Sequence, residues 1–321
     1  MLRSTTLVLS AVLSGSLIHS SSAQISSNET TTADTTIKVI LLGTAGGPPV
    51  WVDRAGISTL VEAGGERFLF DAGRGFMRRL AQAGIPMDGV TKLFITHLHS
   101  DHVVDVSDLL LTPWSAPSAR KVPLEVWGPE GTGDMMDHLQ KAFAYDIHIR
   151  RDVDEKFSPE GIEVISHDIG EGTVYEKKGV KITAFLVDHG PVKPSFGYRL
   201  DYQGHSVAIS GDTRPSENLV KFCKGVDVLI HEVFDAEAVR KIAANLSQSQ
   251  FESILAHHTT PEQAGQIFTR VKPRLAVYSH RADDIALLER TRKTYAGRVE
   301  VGEDLMTITI GGEIEVSRPI R

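Results

Sequence analysis

Three imidazoles and a carboxylate fall within six residues in the stretch Thr96-His97-Leu98-His99-Ser100-Asp101-His102, directly after the hydrophobic run Lys92-Leu93-Phe94-Ile95. Side chains of these types do not all find partners in a core. They match what a borderline-soft divalent ion takes, imidazole nitrogen and carboxylate oxygen, with zinc the usual choice. If the chain stays extended past Ile95, His97 and His99 point the same way, because strand side chains alternate. The following turn then presents Asp101 and His102 to an adjacent position. Four ligands this close in sequence do not readily enclose one tetrahedral ion, which favours two ions sharing them. The chemistry expected is metal-assisted hydrolysis.

Other reactive types recur further along, as Asp188-His189-Gly190, Ser210-Gly211-Asp212, His231-Glu232, His257-His258-Thr259-Thr260 and His280. His189 and Asp212 each follow a predicted strand and sit beside glycine, so their side chains can converge at a sheet edge. No Gly-x-Ser-x-Gly elbow accompanies Ser210, which excludes a serine triad of that kind. The glycine-rich run Gly43 to Pro49 lacks the lysine and Ser/Thr of a P-loop and the Gly-x-Gly-x-x-Gly spacing. It reads as a close backbone approach beside the site. The single cysteine, Cys223, excludes an intramolecular disulfide framework and reads as a packing residue.

The elements that must position these residues are short. β-Branched runs at Val39–Leu42, Ser58–Val61, Arg67–Phe70, Lys92–Ile95, Leu124–Trp127, Ile162–Ile165, Val180–Leu186, Ser195–Leu200, His205–Ile209, Val226–Ile230, Leu275–Tyr278, Leu305–Ile310 and Glu313–Val316 predict strands. Helical spacing marks 74–83, 131–144, 219–223, 236–244, 261–270 and 283–293, with a short segment at Ile254-Leu255-Ala256 between two of them. Tight turns argue for antiparallel pairs, and interspersed helices argue that the outer faces are covered. The expected class is α/β, a sandwich of two mixed sheets with helices outside, in one domain from residue 37 to 321.

In the order His97-x-His99-x-Asp101-His102 at the end of a strand, the chain resembles the metallo-β-lactamase superfamily. The likeness extends from about Val39 to Ile310 and is nearest to the branch of ribonuclease Z and a group of arylsulfatases. It is carried also by Gly43-Thr44-Ala45-Gly46-Gly47-Pro48, Phe70-Asp71-Ala72-Gly73, Asp188-His189-Gly190, Ser210-Gly211-Asp212-Thr213-Arg214, His231-Glu232 and His258-Thr259-Thr260. The resemblance implies a four-layer αβ/βα sandwich with two zinc ions at one edge. His97, His99 and His189 would hold the first, Asp101, His102 and His280 the second, with Asp212 bridging both. Asp71 would orient the ligands from behind. Asp101, Glu232 and His258 are the candidate catalytic residues, Glu232 and His258 as a proton-handling pair near the leaving group. His257 is expected to be structural or exposed, and Thr259 and Thr260 either meet the anionic group or cap the helix at Pro261.

Substrate expectations follow from charge and spacing. The chain has 34 basic and 41 acidic residues, a net of −7, and no dense Lys/Arg run, which argues against a nucleic-acid partner. Ribonuclease Z carries a long tRNA-binding arm between the counterparts of His189 and Asp212, which here stand 23 residues apart (212 less 189), too few for it. A small anionic ester is therefore expected as substrate, with aryl sulfate hydrolysis leading. Phosphodiesterase activity on small or cyclic phosphodiesters is the close alternative, then a lactonase, then a non-catalytic exported metal-binding protein. Trp114 either stacks on an aromatic leaving group or packs in its loop. A homodimer is an allowed state, since dimers are common in the superfamily.

At the N-terminus Arg3 precedes an apolar stretch, Leu7 to Ile18, and then Ser21-Ser22-Ala23, a small-x-small site before Gln24. The stretch falls short of the ~20 residues of a membrane span. Residues 1–23 read as a signal peptide, leaving no stable membrane insertion after its removal. Residues 24–36 read as a flexible lead-in, and the destination as periplasm or secretion.

Overall fold

Strand β1 (Ile37–Gly43) is buried at nearly every position, the mark of a strand covered on both faces. The computed structural model describes residues 35–115, 117–282 and 286–319; the expected leader and most of the lead-in lie outside them. After β1 come β2 (Ser58–Ala63), β3 (Glu66–Phe70), β4 (Lys92–Phe94), β5 (Leu124–Gly128) and β6 (Val164–Asp168). Next are β7 (Gly172–Lys177), β8 (Val180–Leu186), β9 (Phe196–Tyr202), β10 (His205–Ile209) and β11 (Val228–Val233). Then follow β12 (Leu275–Arg281), β13 (Val299–Val301), β14 (Thr307–Ile310) and β15 (Ile314–Ser317). They form an eight-stranded sheet ordered β15-β14-β1-β2-β3-β4-β5-β6 and a seven-stranded sheet ordered β13-β12-β11-β10-β9-β8-β7.

Both sheets are mixed. The run β3 to β6 is parallel in one, and β10 to β13 in the other. Parallel neighbours need long crossovers, and helices supply them: Phe76–Gln82 between β3 and β4, Thr132–Ala142 between β5 and β6, Pro261–Val271 between β11 and β12. Their apolar stripes make the outer layers. Phe76, Leu80, Leu109 and Met136 pack on Leu69 and Leu93 of the first sheet, and Leu219, Ile267 and Phe268 on Leu229 and Ala276 of the second. The inner faces meet in a third core containing Phe70, Phe94, Trp127, Tyr198, Ile209 and Val277. The result is the four-layer αβ/βα sandwich expected from the sequence.

Several local expectations shift. Residues Pro159–Ile162 are helical, started by proline at the first helical position, and β6 begins only at Val164. The segment around Ile254 is the end of a helix, Gln248–Leu255, opened by a capping box between Ser247 and Gln250. Strands β7 and β13 escaped the pattern, the first because it is mostly polar, the second because it is three residues long. Trp114 is fully buried in the first outer layer, and its indole N–H donates to the Ser158 carbonyl at 2.9 Å. It packs against Phe157 and cannot stack on a substrate. Cys223 is buried in the other outer layer, and burial pushes its thiol up to about 12. Among the described residues no helix is long and apolar enough to cross a membrane.

Candidate metal centre

The His97 segment leaves β4 over a rigid aromatic floor. Phe94 stacks on Trp127 with ring centroids 4.6 Å apart, and Phe70 lies beside it; such pairs contribute about 0.5–1.5 kcal/mol each beyond area burial. Past β4 the chain bridges the two sheets. Ile95 N donates to Trp127 O in one, and the Thr96 carbonyl accepts from Phe196 N of the other at 2.9 Å. Gly211 passes so close that a Cβ there would lie 2.5 Å from Phe196 O, and its φ of +60° suits glycine. Asp212 is thereby set against His97. His189 leaves β8, Asp212 follows β10, Glu232 stands in β11 and His280 near the end of β12. Asp212, Glu232 and His280 thus gather at the carboxyl ends of adjacent parallel strands, where open α/β sheets place ligands.

All seven expected ligands converge. The side chains of His97, His99 and His189 form one set, Asp101, His102 and His280 another, and Asp212 joins His97 and His102. Asp212 Oδ2 lies 4.0 Å from His97 Nε2 and 3.9 Å from His189 Nε2. Its Oδ1 lies 3.4 Å from His102 Nε2 and 3.3 Å from His280 Nδ1. Asp101 Oδ2 is 3.1 Å from His280 Nε2 and 3.6 Å from His102 Nε2. His97 Nε2, His102 Nε2 and Asp212 Oδ1 are buried without a hydrogen-bond partner. Buried polar atoms in that condition destabilise a fold unless something satisfies them, and cations between the two sets would do so. The residues fit a dinuclear metal site.

The charges agree. Burial, with neighbouring imidazoles, holds His97 well below the ordinary histidine value, and burial takes His189 down to about 4 against the pull of Asp212. Neutral imidazoles are what metals bind. At His102 burial opposes charge, yet Asp212, Asp71 and Asp101 outweigh it and raise the ring well above its usual value. The three carboxylates favour a positive charge at that position, which a proton or a metal ion supplies. Burial opposes ionisation of Asp101, but His102 and His280 hold it below the usual carboxylate range.

The supporting groups are equally specific. Asp71 accepts from His102 Nδ1 at 2.8 Å, from Thr96 N at 2.8 Å and from Thr96 Oγ1 at 2.9 Å, so it orients one ring and the backbone before another. The glycine-rich loop does approach closely: a Cβ on Gly46 would lie 2.8 Å from His280 C, and Gly47 N donates to His280 Nε2 at 3.2 Å. Asp304, unremarked in the sequence, pins that loop by accepting from Thr44 N, Thr44 Oγ1 and Ala55 N. His257 contributes its carbonyl, which accepts from His189 Nδ1 at 3.2 Å. No sequence signal marks such a contact, since every residue carries a carbonyl. Thr260 caps the helix Pro261–Val271, and Thr259 Oγ1 donates to Thr213 O, tying the His258 loop to the Asp212 loop.

Glu232 and His258 form a pair beside this cage. His258 Nδ1 donates to both Glu232 oxygens at 3.0 and 3.1 Å and lies 4.0 Å from Asp212 Oδ2. Burial opposes the imidazolium, but Glu232 and Asp212 outweigh it and raise His258 to about 9. His231, the neighbour of Glu232 in β11, points the other way and packs on Phe268. A cavity of about 640 Å³ opens onto Asp101, Asp212, His258 and His280.

Fold and site together define a metal-dependent hydrolase acting on ester bonds. The chain belongs to the metallo-β-lactamase superfamily: residues 66–281 match the Beta-lactamase superfamily domain. A Ribonuclease Z from Mycobacterium avium (strain 104) is 37% identical over 284 residues, spanning 85% of this chain and 98% of that protein. Human tRNase Z, short form, superposes with a TM-score of 0.60 at 25% identity, covering 84% of this chain and 98% of that one. The metallo-β-lactamase fold protein YhfI from Bacillus subtilis superposes with a TM-score of 0.66 at 17% identity, covering 85% and 99%, which bears on fold alone.

Two sequence-based expectations fall here. The relatives are ribonucleases, which overturns aryl sulfate hydrolysis as the leading activity and the exclusion of nucleic acid as a partner. The arm argument fails as well, because an alignment of 284 positions that takes in 85% of this chain and 98% of the mycobacterial protein leaves no room for a long arm there.

Proposed function

We propose that the protein is a dinuclear zinc phosphodiesterase, with His97, His99 and His189 holding one ion, Asp101, His102 and His280 the other, and Asp212 shared. The observation that carries this reading is the Glu232–His258 pair, a proton held at the wall of the cavity beside Asp212. Zinc is supported by the donor set of imidazole nitrogen and carboxylate oxygen without thiolate. Bound there, the ions would acidify a water for attack and neutralise charge on the phosphoryl oxygens. His258 spends Nδ1 on Glu232, so Nε2 is the nitrogen that gives a proton to the departing alkoxide. Glu232 orients the ring through Nδ1 and keeps it charged, while Thr213 N, donating to Glu232 Oε1 at 2.9 Å, fixes the carboxylate.

A ribonucleic substrate is the second reading. It is favoured by the ribonuclease Z relatives and by a smaller cleft of about 190 Å³ that shares Asp101 and Ser100 with the main cavity and is lined by Arg74, Arg78 and Trp51. Arginines gathered this way attract a phosphate backbone whatever the net charge. The zinc-loaded protein is expected to release 4-nitrophenol from bis(4-nitrophenyl) phosphate and not from 4-nitrophenyl sulfate, with a short RNA in the same panel deciding between small and polymeric substrates. Hydrolysis that survives chelation, or preference for the sulfate, removes the reading.

We further propose export with cleavage after Ala23, supported by the charged, apolar and small-residue order of residues 1–23. Terminal sequencing of the protein from its native host should then begin at Gln24; a chain still carrying Leu7 to Ile18 rules this out.

A further inference from the structure

Only one side of the cavity belongs to the metal cage. The other is made by the crossover from β11 to β12, where Phe234, Val239, Ala243, Leu246 and Ile254 face the same space. Val239 stands on the helix Ala236–Ile242, Ala243 closes that helix, and Leu246 follows in the bend beyond it, so the apolar side chains continue past the helix end. Here Val239, Leu246 and Ile254 remain partly exposed, toward the cavity. Of the charged groups of the same segment, Asp235 is buried, capping the helix at Ala238 and pairing with Arg290, while Glu237, Arg240, Lys241 and Glu252 are exposed; the Arg240 guanidinium covers the Phe251 ring at 4.0 Å and donates to Gln248. Among the described residues, the titratable groups lining the cavity are those of the cage, His257 and His258. The wall starts at the proton donor, because the Phe234 ring stacks on His258 with centroids 5.0 Å apart and planes 11° from parallel.

We infer that this wall is a subsite for an apolar leaving group, an alkyl chain or single aromatic ring on the alcohol expelled from the phosphodiester. The inference rests on the phosphodiesterase reading for its chemistry. A departing alkoxide has to sit within reach of His258, and whatever substituent it bears then lies over Phe234 and along Val239, Leu246 and Ile254. The non-leaving part falls toward Gly47 and Ser100, where the arginine-lined cleft joins the cavity.

Calorimetric binding of n-alkylphosphonates, methyl to hexyl, to the zinc-loaded protein tests it without turnover. Each methylene that the wall buries is expected to tighten binding about fourfold, with an increasingly negative heat-capacity change. A terminal hydroxyl on the butyl compound should erase most of that gain. In Leu246→Asn and Ile254→Asn the gain per methylene should fall by at least half. A flat series in the unmodified protein, or a hydroxylated chain bound as tightly as its alkyl counterpart, overturns the subsite. Cleavage of bis(4-nitrophenyl) phosphate reports on the parent reading separately: turnover with a flat series sinks the subsite alone, and a steep series without phosphodiester turnover sinks the reading beneath it.

Discussion

Asp212→Ala is expected to strip the centre of its shared ligand, lowering zinc from two ions per chain to one or fewer. Phosphodiester hydrolysis should fall by about a thousandfold or more, the several kcal/mol that metal ions contribute to transition-state charge. Asp212 is almost wholly buried, and its two oxygens face different imidazole sets. Alanine leaves five imidazoles converging with one carboxylate, Asp101, among them. Asp212→Asn retains the volume and separates lost charge from lost packing. Elemental analysis beside kcat/KM decides the matter. Two tightly held ions and a rate within tenfold of the parent would refute a bridging role. Chelation should lower Tm in the parent, because ligands bound only by the folded state stabilise it by mass action, and should shift it far less in Asp212→Ala.

The second large effect concerns the proton. His258→Ala should lower kcat by about 10² to 10⁴, the usual range for general acid catalysis, with zinc content unchanged. The deficit should be greatest for alkyl leaving groups and shrink for 4-nitrophenolate, which departs without a proton. Glu232→Gln tests the tuning of that acid. Burial opposes the His258 imidazolium, and Glu232 is the largest of the influences that raise it to about 9; cations in the cage would offset the share from Asp212. Removing the Glu232 charge lowers the His258 pKa, so the acid form is lost at lower pH and the alkaline limb of the rate profile moves acidward. A limb that stays in place, or a His258→Ala deficit independent of leaving group, assigns the pair a structural role instead.

The export expectation and the apolar wall show how differently features can be read from a chain. The expected leader rests on residue order along one stretch. The wall is made of apolar residues legible one by one, Val239, Leu246 and Ile254 among them, but that they share a cavity rather than a core is not legible. The same division runs through the arginines. Arg54, Arg74 and Arg78 form no run in the sequence, so a search for basic clusters passes over them. The turn after β3, the helix Phe76–Gln82 that follows it and the loop after β1 then bring them to one cleft. For Trp114 the sequence left two readings open, stacking on a leaving group or packing in its loop, and burial against Phe157 selects the second.

By itself the sequence determined most of the strand periods and the residues rich enough in donor atoms to hold metal, because these depend on neighbours a few positions apart. The resemblance named which donors would share a centre; tertiary structure alone decided how closely they converge, which oxygen of Asp212 faces which set, that a carbonyl of His257 steers His189, and what the cavity opposite the metals is made of. Those outcomes join residues as distant as Asp101 and His280, and distance in space between such positions is set by how two whole sheets twist and pack, not by any local pattern.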